Sequence, residues 1–263
     1  MIENMSQMLS KSQYQQFMDN DITEICPTIY YGTVNSLKQE IFHNYNFKII
    51  INCLPTYKFL KHLNKSNISI PTDMLMLLLD LNFDINKFND DEKALLNEFD
   101  MKFNKILQNF INYFINYNEN IDKIINKLPN NLNLNISNPI LSGNLKNNLF
   151  KLTRLIKLFK IMNNSIDILI IGDNNENFSK SLLISYLMDN YNYNVNNSIN
   201  YLHYKINVNF NLNYYEDLLI LENLKKFYVE NNEIKMGSSI LYNNKQGKRC
   251  REDEDYSEKR IRF

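Results

Sequence analysis

The chain has 263 residues with 29 Lys and Arg against 29 Asp and Glu, so its formal net charge is zero and no global field attracts nucleic acid or a membrane. Hydrophobic residues make up 44% and aromatic residues 13%, which excludes a chain that is disordered throughout. Asn occupies 47 positions and Ala only one, so an individual Asn is best interpreted as a tolerated polar surface residue.

Cysteine and histidine are too sparse and too scattered to form a metal or disulfide framework. With no CxxC pair and no His cluster, we expect no zinc site, no other metal and no cofactor. The first residues lack a basic flank followed by an apolar stretch, and no run approaches 18 apolar residues. We therefore expect no signal peptide and no membrane span, and a reducing, intracellular setting. The cysteines are Cys26, Cys53 and Cys250.

The first half of the chain alternates strand-like and helical patterns. After a flexible arm at residues 1–22, short apolar runs indicate strands and an apolar repeat at helical spacing indicates a long helix. Asp80 directly follows the run MLMLLL. The predicted elements are a β-rich segment at Ile25–Gly32, a helix at Leu37–Tyr45, strands at Phe47–Cys53 and Met74–Leu79, and a helix at Asp91–Tyr117.

The second half opens with an Asn-rich insertion at about 118–165, which ends in an amphipathic basic helix at Leu145–Ile161. The strand-like run IDILII and a polar loop at Gly172–Lys180 follow, and a charged, disordered tail is expected at 233–263. The alternation predicts an α/β fold with a central, largely parallel sheet flanked by helices, whose ligands bind at the carboxyl ends of the strands. The last predicted helices are Ser181–Tyr191, Val195–Tyr204 and Leu212–Val229.

Several short motifs, taken in their order and spacing, resemble the dual-specificity protein phosphatases. That family has V-x-V-H-C-x-x-G-x-S-R-S followed by a helix of the type I-A-Y-L-M, and an entry strand L-Y-L-G. The resemblance covers about residues 23–117 and 166–229, which would form one phosphatase-like domain at 23–232. The motifs in this chain are FSKS at 178–181, ISYLM at 184–188, NVNNSINYL at 194–202, FNLNYYEDL at 210–218, and IYYG at 29–32.

The resemblance implies a cysteine nucleophile, an arginine that grips the phosphate and an aspartate that protonates the leaving group. Counting from the aligned Lys180 places Asn174 at the nucleophile, and an amide is not a nucleophile at any accessible pH. Asp173 takes the place of the preceding His, and Asn177 that of the glycine. Lys180 keeps the charge of the Arg but loses its bidentate fork. No C-x5-R occurs in the chain, and Asp80 is the position that resembles the general acid, with Asp84 a weaker choice.

The loop contains features for and against the binding of an anion. A helix N-terminus with Ser179, Lys180 and Ser181 favours phosphate, whereas Asp173 and Glu176 oppose it. A nucleotide-binding P-loop would need glycines where Asn174 and Ser179 stand. Residual phosphoprotein or nucleotide binding is therefore an alternative to a site that no longer binds phosphate.

Two basic features suggest roles outside the loop. Lys151, Arg154 and Lys157 lie on the helix of the insertion, where they could dock a protein partner, although the same helix could simply pack on the sheet. Two clusters in the tail have the spacing of a bipartite nuclear-import signal, which predicts a cytoplasmic or nuclear location. The tail residues are Lys248, Arg249, Lys259, Arg260 and Arg262.

The sequence thus predicts a catalytically inactive phosphatase-like protein that acts as an adaptor or regulator in phosphorylation-dependent signalling. Its partner would be a protein, with a kinase or phosphoprotein possible, rather than a membrane or nucleic acid. The alternative is a structural α/β subunit of a complex in which an ancestral phosphatase site has been abandoned.

Overall fold

A computed structural model describes residues 22–117, 136, 138–162, 164–173, 177–206 and 214–224. The chain divides into two units, Met1–Leu221 and Glu222–Phe263. Only residues 222–224 of the second unit are described. The predicted N-terminal arm up to residue 21, the insertion at 118–135 and the basic clusters of the tail all lie outside the described residues.

Six strands form one sheet in the order β1-β2-β6-β3-β4-β5. Strand β1 is antiparallel to β2, and the other pairs are parallel. The predicted β-rich segment is in fact a hairpin, because Thr28 adopts a left-handed φ of 66° at the turn. The strands are β1 (Thr23–Cys26), β2 (Ile29–Thr33), β3 (Phe47–Asn52), β4 (Leu75–Leu79), β5 (Ile140–Leu141) and β6 (Asp167–Gly172).

Helices connect the parallel strands and flank the sheet. The predicted helix at Leu37–Tyr45 is shorter than expected, because Leu37 has an extended backbone with ψ of 93°. Single 3-10 turns occupy Val34–Ser36 and Ile85–Lys87. The helices are α1 (Ile41–Asn44), α2 (Thr56–Lys65), α3 (Asp90–Tyr117), α4 (Leu145–Met162), α5 (Phe178–Tyr191), α6 (Val195–Ile206) and α7 at residues 215–224.

The central strands are buried on both faces, as the continuous apolar runs predicted. All five residues of β4 are buried, and in β3 Lys48 is the one residue that is not. Helix α3 packs against β4 and α2, and helix α4 packs against α5. The predicted fold class, an α/β domain with a largely parallel sheet flanked by helices, is confirmed.

Helix α4 is part of this core and not an added appendage. Its apolar stripe, which the docking hypothesis placed beside a partner-binding face, is buried within the fold. The segment 138–144 also supplies β5, which pairs with β4 at the edge of the sheet. Of the two roles considered for this helix, packing within the fold thus accounts for its apolar stripe, and the helix contacts α5 and α3. The buried residues are Leu149, Leu152, Leu155, Ile156 and Phe159.

Two of the three cations proposed for docking form ion pairs inside the fold. Arg154 Nη2 lies 3.0 Å from Asp189 Oδ1, and Lys157 Nζ lies 3.6 Å from Asp189 Oδ2. The side chains of Arg154 and Asp189 are only 17% and 12% exposed. A carboxylate in the last turn of α5 opposes the helix dipole, and the two cations compensate for it. Lys151 is half-buried and forms no ion pair among the residues that the structure describes.

This arrangement predicts unequal costs for charge reversal along α4. Arg154→Glu should lower the free energy of unfolding by about 2–4 kcal/mol, because it leaves two facing carboxylates that are largely removed from water. Lys151→Glu, the matched control, should change it by less than about 0.5 kcal/mol. Urea unfolding followed by circular dichroism measures both values. Equal effects of the two substitutions would show that the Asp189 pairs contribute nothing to stability.

Candidate functional site

The connection between β6 and α5 lies at the carboxyl ends of the parallel strands, where α/β sheets bind their ligands. Strand β6 is hydrogen-bonded to β2 on one side and β3 on the other, so this connection emerges from the middle of the sheet. Gly172 ends β6 against the first turn of α5. A β-carbon at Gly172 would lie 2.1 Å from Ser179 Oγ, so only glycine fits at this position.

The first turn of α5 is turned into the protein. Ser179 and Ser181 are fully buried, and Lys180 is only 1% exposed. The Ser181 amide donates to the Asn177 carbonyl at 2.9 Å, which closes the first helical turn. The Ser181 hydroxyl has no hydrogen-bond partner within the described part of the chain. The cation expected to attract an anion is therefore almost wholly removed from solvent.

The two ends of the loop differ in exposure. Asp173 is exposed directly after β6, whereas Asn177 is half-buried as the residue that precedes α5. Asn177 has a φ of −106°, so its position requires none of the freedom that a glycine would provide. Asn174 and Glu176 lie outside the described residues, so their predicted places in the loop stay predictions.

Asp80 is buried at the end of β4 and serves as a structural anchor. Its Oδ2 accepts a hydrogen bond of 2.8 Å from the amide of Thr56, the first residue of α2. Its own amide donates to the Leu141 carbonyl at 3.0 Å. The side chain thus satisfies one of the amides that the start of a helix leaves without an intrahelical partner. The residue that resembles a general acid joins α2, β4 and β5.

Asp84, the weaker choice for the general acid, is also used locally. Its Oδ1 accepts from the backbone and side-chain nitrogens of Asn86, both at 3.0 Å, at the start of the 3-10 turn Ile85–Lys87. This is the common capping arrangement of an aspartate before a turn. Both carboxylates therefore accept hydrogen bonds from backbone amides.

The two thiols in the described part of the chain are buried. Cys26 lies at the end of β1, which runs antiparallel to β2. It is therefore at the amino ends of the parallel strands, opposite the candidate loop. Burial raises the pKa of its thiol to about 11, against which a hydrogen bond from Tyr191 acts. Cys53 follows β3 at the carboxyl ends of the parallel strands, where the loop also begins. Its amide donates to the Ile171 carbonyl at 2.8 Å. Protonated or inaccessible thiols are poor nucleophiles.

Within the described ranges, no group of three or more His, Cys, Asp or Glu side chains could hold a metal ion. None of the helices searched in this part of the chain is long and apolar enough to span a bilayer.

Comparison with known proteins finds no matching family model and no matching curated protein. Solved structures do match. The matching folds are those of dual-specificity phosphatases. A mouse dual-specificity phosphatase is 8% identical with a TM-score of 0.43, over 78% of this chain and 88% of that one. Human DUSP28 is 9% identical with a TM-score of 0.42, over 78% and 95%.

A third match is the human tyrosine phosphatase-like serine/threonine/tyrosine-interacting protein. It is 13% identical with a TM-score of 0.40, over 78% of this chain and 98% of that one. At these identities nothing about activity, substrates or partners transfers to this chain.

The anchoring role of Asp80 can be tested by stability measurements. Asp80→Ala should lower the free energy of unfolding by about 1–2 kcal/mol, because it removes the acceptor for an amide at the start of α2. Asp80→Asn, the conservative control, keeps a side-chain oxygen in place and should recover most of that loss. Thermal and urea unfolding of the three proteins provide the comparison. If the Asp80→Ala protein were as stable as the unmodified one, Asp80 would not stabilise the start of α2.

Proposed function

We propose that this chain is a catalytically inactive, dual-specificity-phosphatase-like protein that acts by binding a protein partner, as an adaptor or regulator in phosphorylation-dependent signalling. The observation that carries the proposal is the residue at the nucleophile position, Asn174, in a chain without any C-x5-R sequence. Without a thiolate, no phosphocysteine intermediate can form.

The geometry around the loop supports the same proposal. Lys180, in the place of the phosphate-gripping Arg, is buried in the first turn of α5. Asp80, in the place of the general acid, is committed to the amide of Thr56. Each position that would carry out a phosphatase step is occupied by a side chain without the required chemistry or engaged in packing. A chain that keeps the fold and not the chemistry is suited to presenting surfaces.

Residual binding of phosphate is a second candidate with one observation in its favour. The fully buried Ser181 hydroxyl, with no hydrogen-bond partner among the described residues, is available at the start of α5. A helix N-terminus favours an anion at such a place. The burial of Lys180 and the exposed Asp173 act against it. The alternative is a structural subunit with an abandoned site, and no particular contact supports it.

The basic clusters of the tail support a cytoplasmic or nuclear location.

The purified protein should hydrolyse neither a small aryl phosphate nor a phosphotyrosine peptide above the rate of the buffer. The physical reason is the missing thiolate, whose loss alone typically costs a factor of about 10⁴–10⁶ in rate. Continuous release of the aryl alcohol, measured with an active phosphatase as the positive control, tests this. Vanadate-sensitive turnover that Lys180→Met abolishes would contradict the proposal.

Restoring the nucleophile alone, by Asn174→Cys, should not restore turnover. Lys180 cannot fork onto the phosphate oxygens, and the like charges of Asp173 and Glu176 would raise the pKa of the introduced thiol. The matched comparison is the double variant Asn174→Cys with Lys180→Arg, assayed for hydrolysis and for covalent trapping of labelled phosphate. Robust hydrolysis by the single variant would show that the nucleophile was the one missing part.

A further inference from the structure

Helix α2 carries a basic face that the ion pairs of the fold leave unused. Its sequence TYKFLKHLNK contains no acidic residue. Lys58, Lys61 and Lys65 are all exposed. At about 100° per residue, these lysines and Tyr57 fall within an arc of about 100° on one side of the helix. The opposite side, with Phe59 and Leu60, is buried in the core.

None of these three lysines forms an ion pair with another described residue, and the same holds for Lys87 in the turn after β4. Helix α4 differs in this respect, because its Arg154 and Lys157 form ion pairs with Asp189. Two acids of the turn region instead accept hydrogen bonds from neutral amides: the carboxylate of Asp84 accepts from Asn86, and that of Glu92 from Asn89. A strip of exposed lysines without an ion-pair partner in the described structure thus remains on the surface.

The strip ends on exposed apolar side chains. Tyr57 is 38% exposed and Ile85 is 48% exposed. The Tyr57 ring packs edge-on against Phe88 with centroids 6.4 Å apart, and Phe88 in turn contacts Phe83 at 5.8 Å. This aromatic row holds Tyr57 in place beside the turn. Rigid aromatic side chains next to charged ones are the usual anchors of a protein interface.

Helix α2 and the turn Ile85–Lys87 begin at the same ends of the strands as the candidate loop. Helix α2 follows the carboxyl end of β3, and the turn Ile85–Lys87 follows that of β4. Strand β3 lies between β6 and β4, and the three strands are parallel, so both segments start at the same carboxyl ends of the strands as the β6–α5 connection. The hydrogen bond from Thr56 to Asp80 fixes the start of α2 to the end of β4.

We propose that the surface formed by Tyr57, Lys58, Lys61, Lys65 and Ile85, here called the α2 face, binds an acidic segment of a partner protein that carries a bulky apolar side chain. The lysines would neutralise its carboxylates, and Tyr57 with Ile85 would cover the apolar group. The α2 face rests on the proposed function, because it names the surface through which a binding protein would act. Charge complementarity selects the acidic segment, and the exposed apolar end selects a protein over a uniformly charged polymer.

The probe is a fluorescent twelve-residue peptide of glutamate and aspartate with a central leucine and phenylalanine. We expect it to bind the full chain with an affinity that falls as salt is raised, because exposed charges are screened. Lys61→Glu with Lys65→Glu should weaken binding at least about tenfold. The matched control, Lys105→Glu with Lys205→Glu, makes the same change in net charge at exposed lysines elsewhere and should leave binding within about twofold.

Ile85→Ser tests the apolar end and should weaken the probe about three- to tenfold. A peptide with serines in place of leucine and phenylalanine should lose affinity to the same extent and be insensitive to that substitution. Thermal unfolding of each variant confirms that it is folded. The inference is overturned if the two double variants weaken binding equally or if the intact chain does not bind the acidic peptide. It is also overturned if anionic phosphatidylserine vesicles or single-stranded DNA bind more tightly and lose binding in Lys61→Glu with Lys65→Glu.

The same proteins separate the failure of this inference from that of the proposed function. Turnover of an aryl phosphate by the intact chain would refute catalytic inactivity and leave the peptide measurements standing. Absence of turnover together with absence of peptide binding would remove the α2 face alone.

Discussion

Strand β6 determines where everything at the candidate site lies. It is late in the chain but central in the sheet, with β2 on one side and β3 on the other. Its residues from Ile168 to Gly172 are buried, so their apolar side chains and ladder hydrogen bonds leave little freedom to the segment that follows. Ser179 packs so closely on Gly172 that no side chain fits there. The start of α5 is thereby pressed against the end of the strand.

That constraint fixes the described ends of the β6–α5 connection. Phosphate usually helps to organise such a loop through its charge and the helix dipole. Here the described ends of the loop are held by packing, with Ser179, Lys180 and Ser181 inside the protein. Asp80 holds α2 to β4 in the same way. The positions that resemble catalytic residues therefore help to stabilise the carboxyl ends of the strands, where α/β sheets bind their ligands.

The cations of the two basic helices, α2 and α4, differ in whether they form ion pairs. Both α2 and α4 combine lysines with an apolar stripe, and both bury that stripe in the core. In α4 the cations Arg154 and Lys157 meet Asp189 and tie two helices together. In α2 the three exposed lysines form no ion pair with another described residue, so their charge remains on the surface. A basic amphipathic pattern has functional meaning only when the acids around it are known.

By itself the sequence determined the local elements and predicted Asn174 at the position of the nucleophile. Apolar runs such as Leu75–Leu79 predict buried strands, and the spacing of Phe99, Phe103 and Leu107 predicts the long helix α3, because both patterns repeat over neighbouring residues. Asn174 is visible from spacing within a single motif. The tertiary structure alone decided what lies across from each polar group: Asp189 lies across from Arg154, and Thr56 across from Asp80. These partners are 24 to 35 residues apart in the chain, counted as 80 − 56 and 189 − 154, and no local periodicity encodes them. An amphipathic pattern shows that a helix has an apolar face and not what covers that face, so the sequences of α4 and α2 alone cannot tell a cation that pairs inside the fold from one that stays exposed.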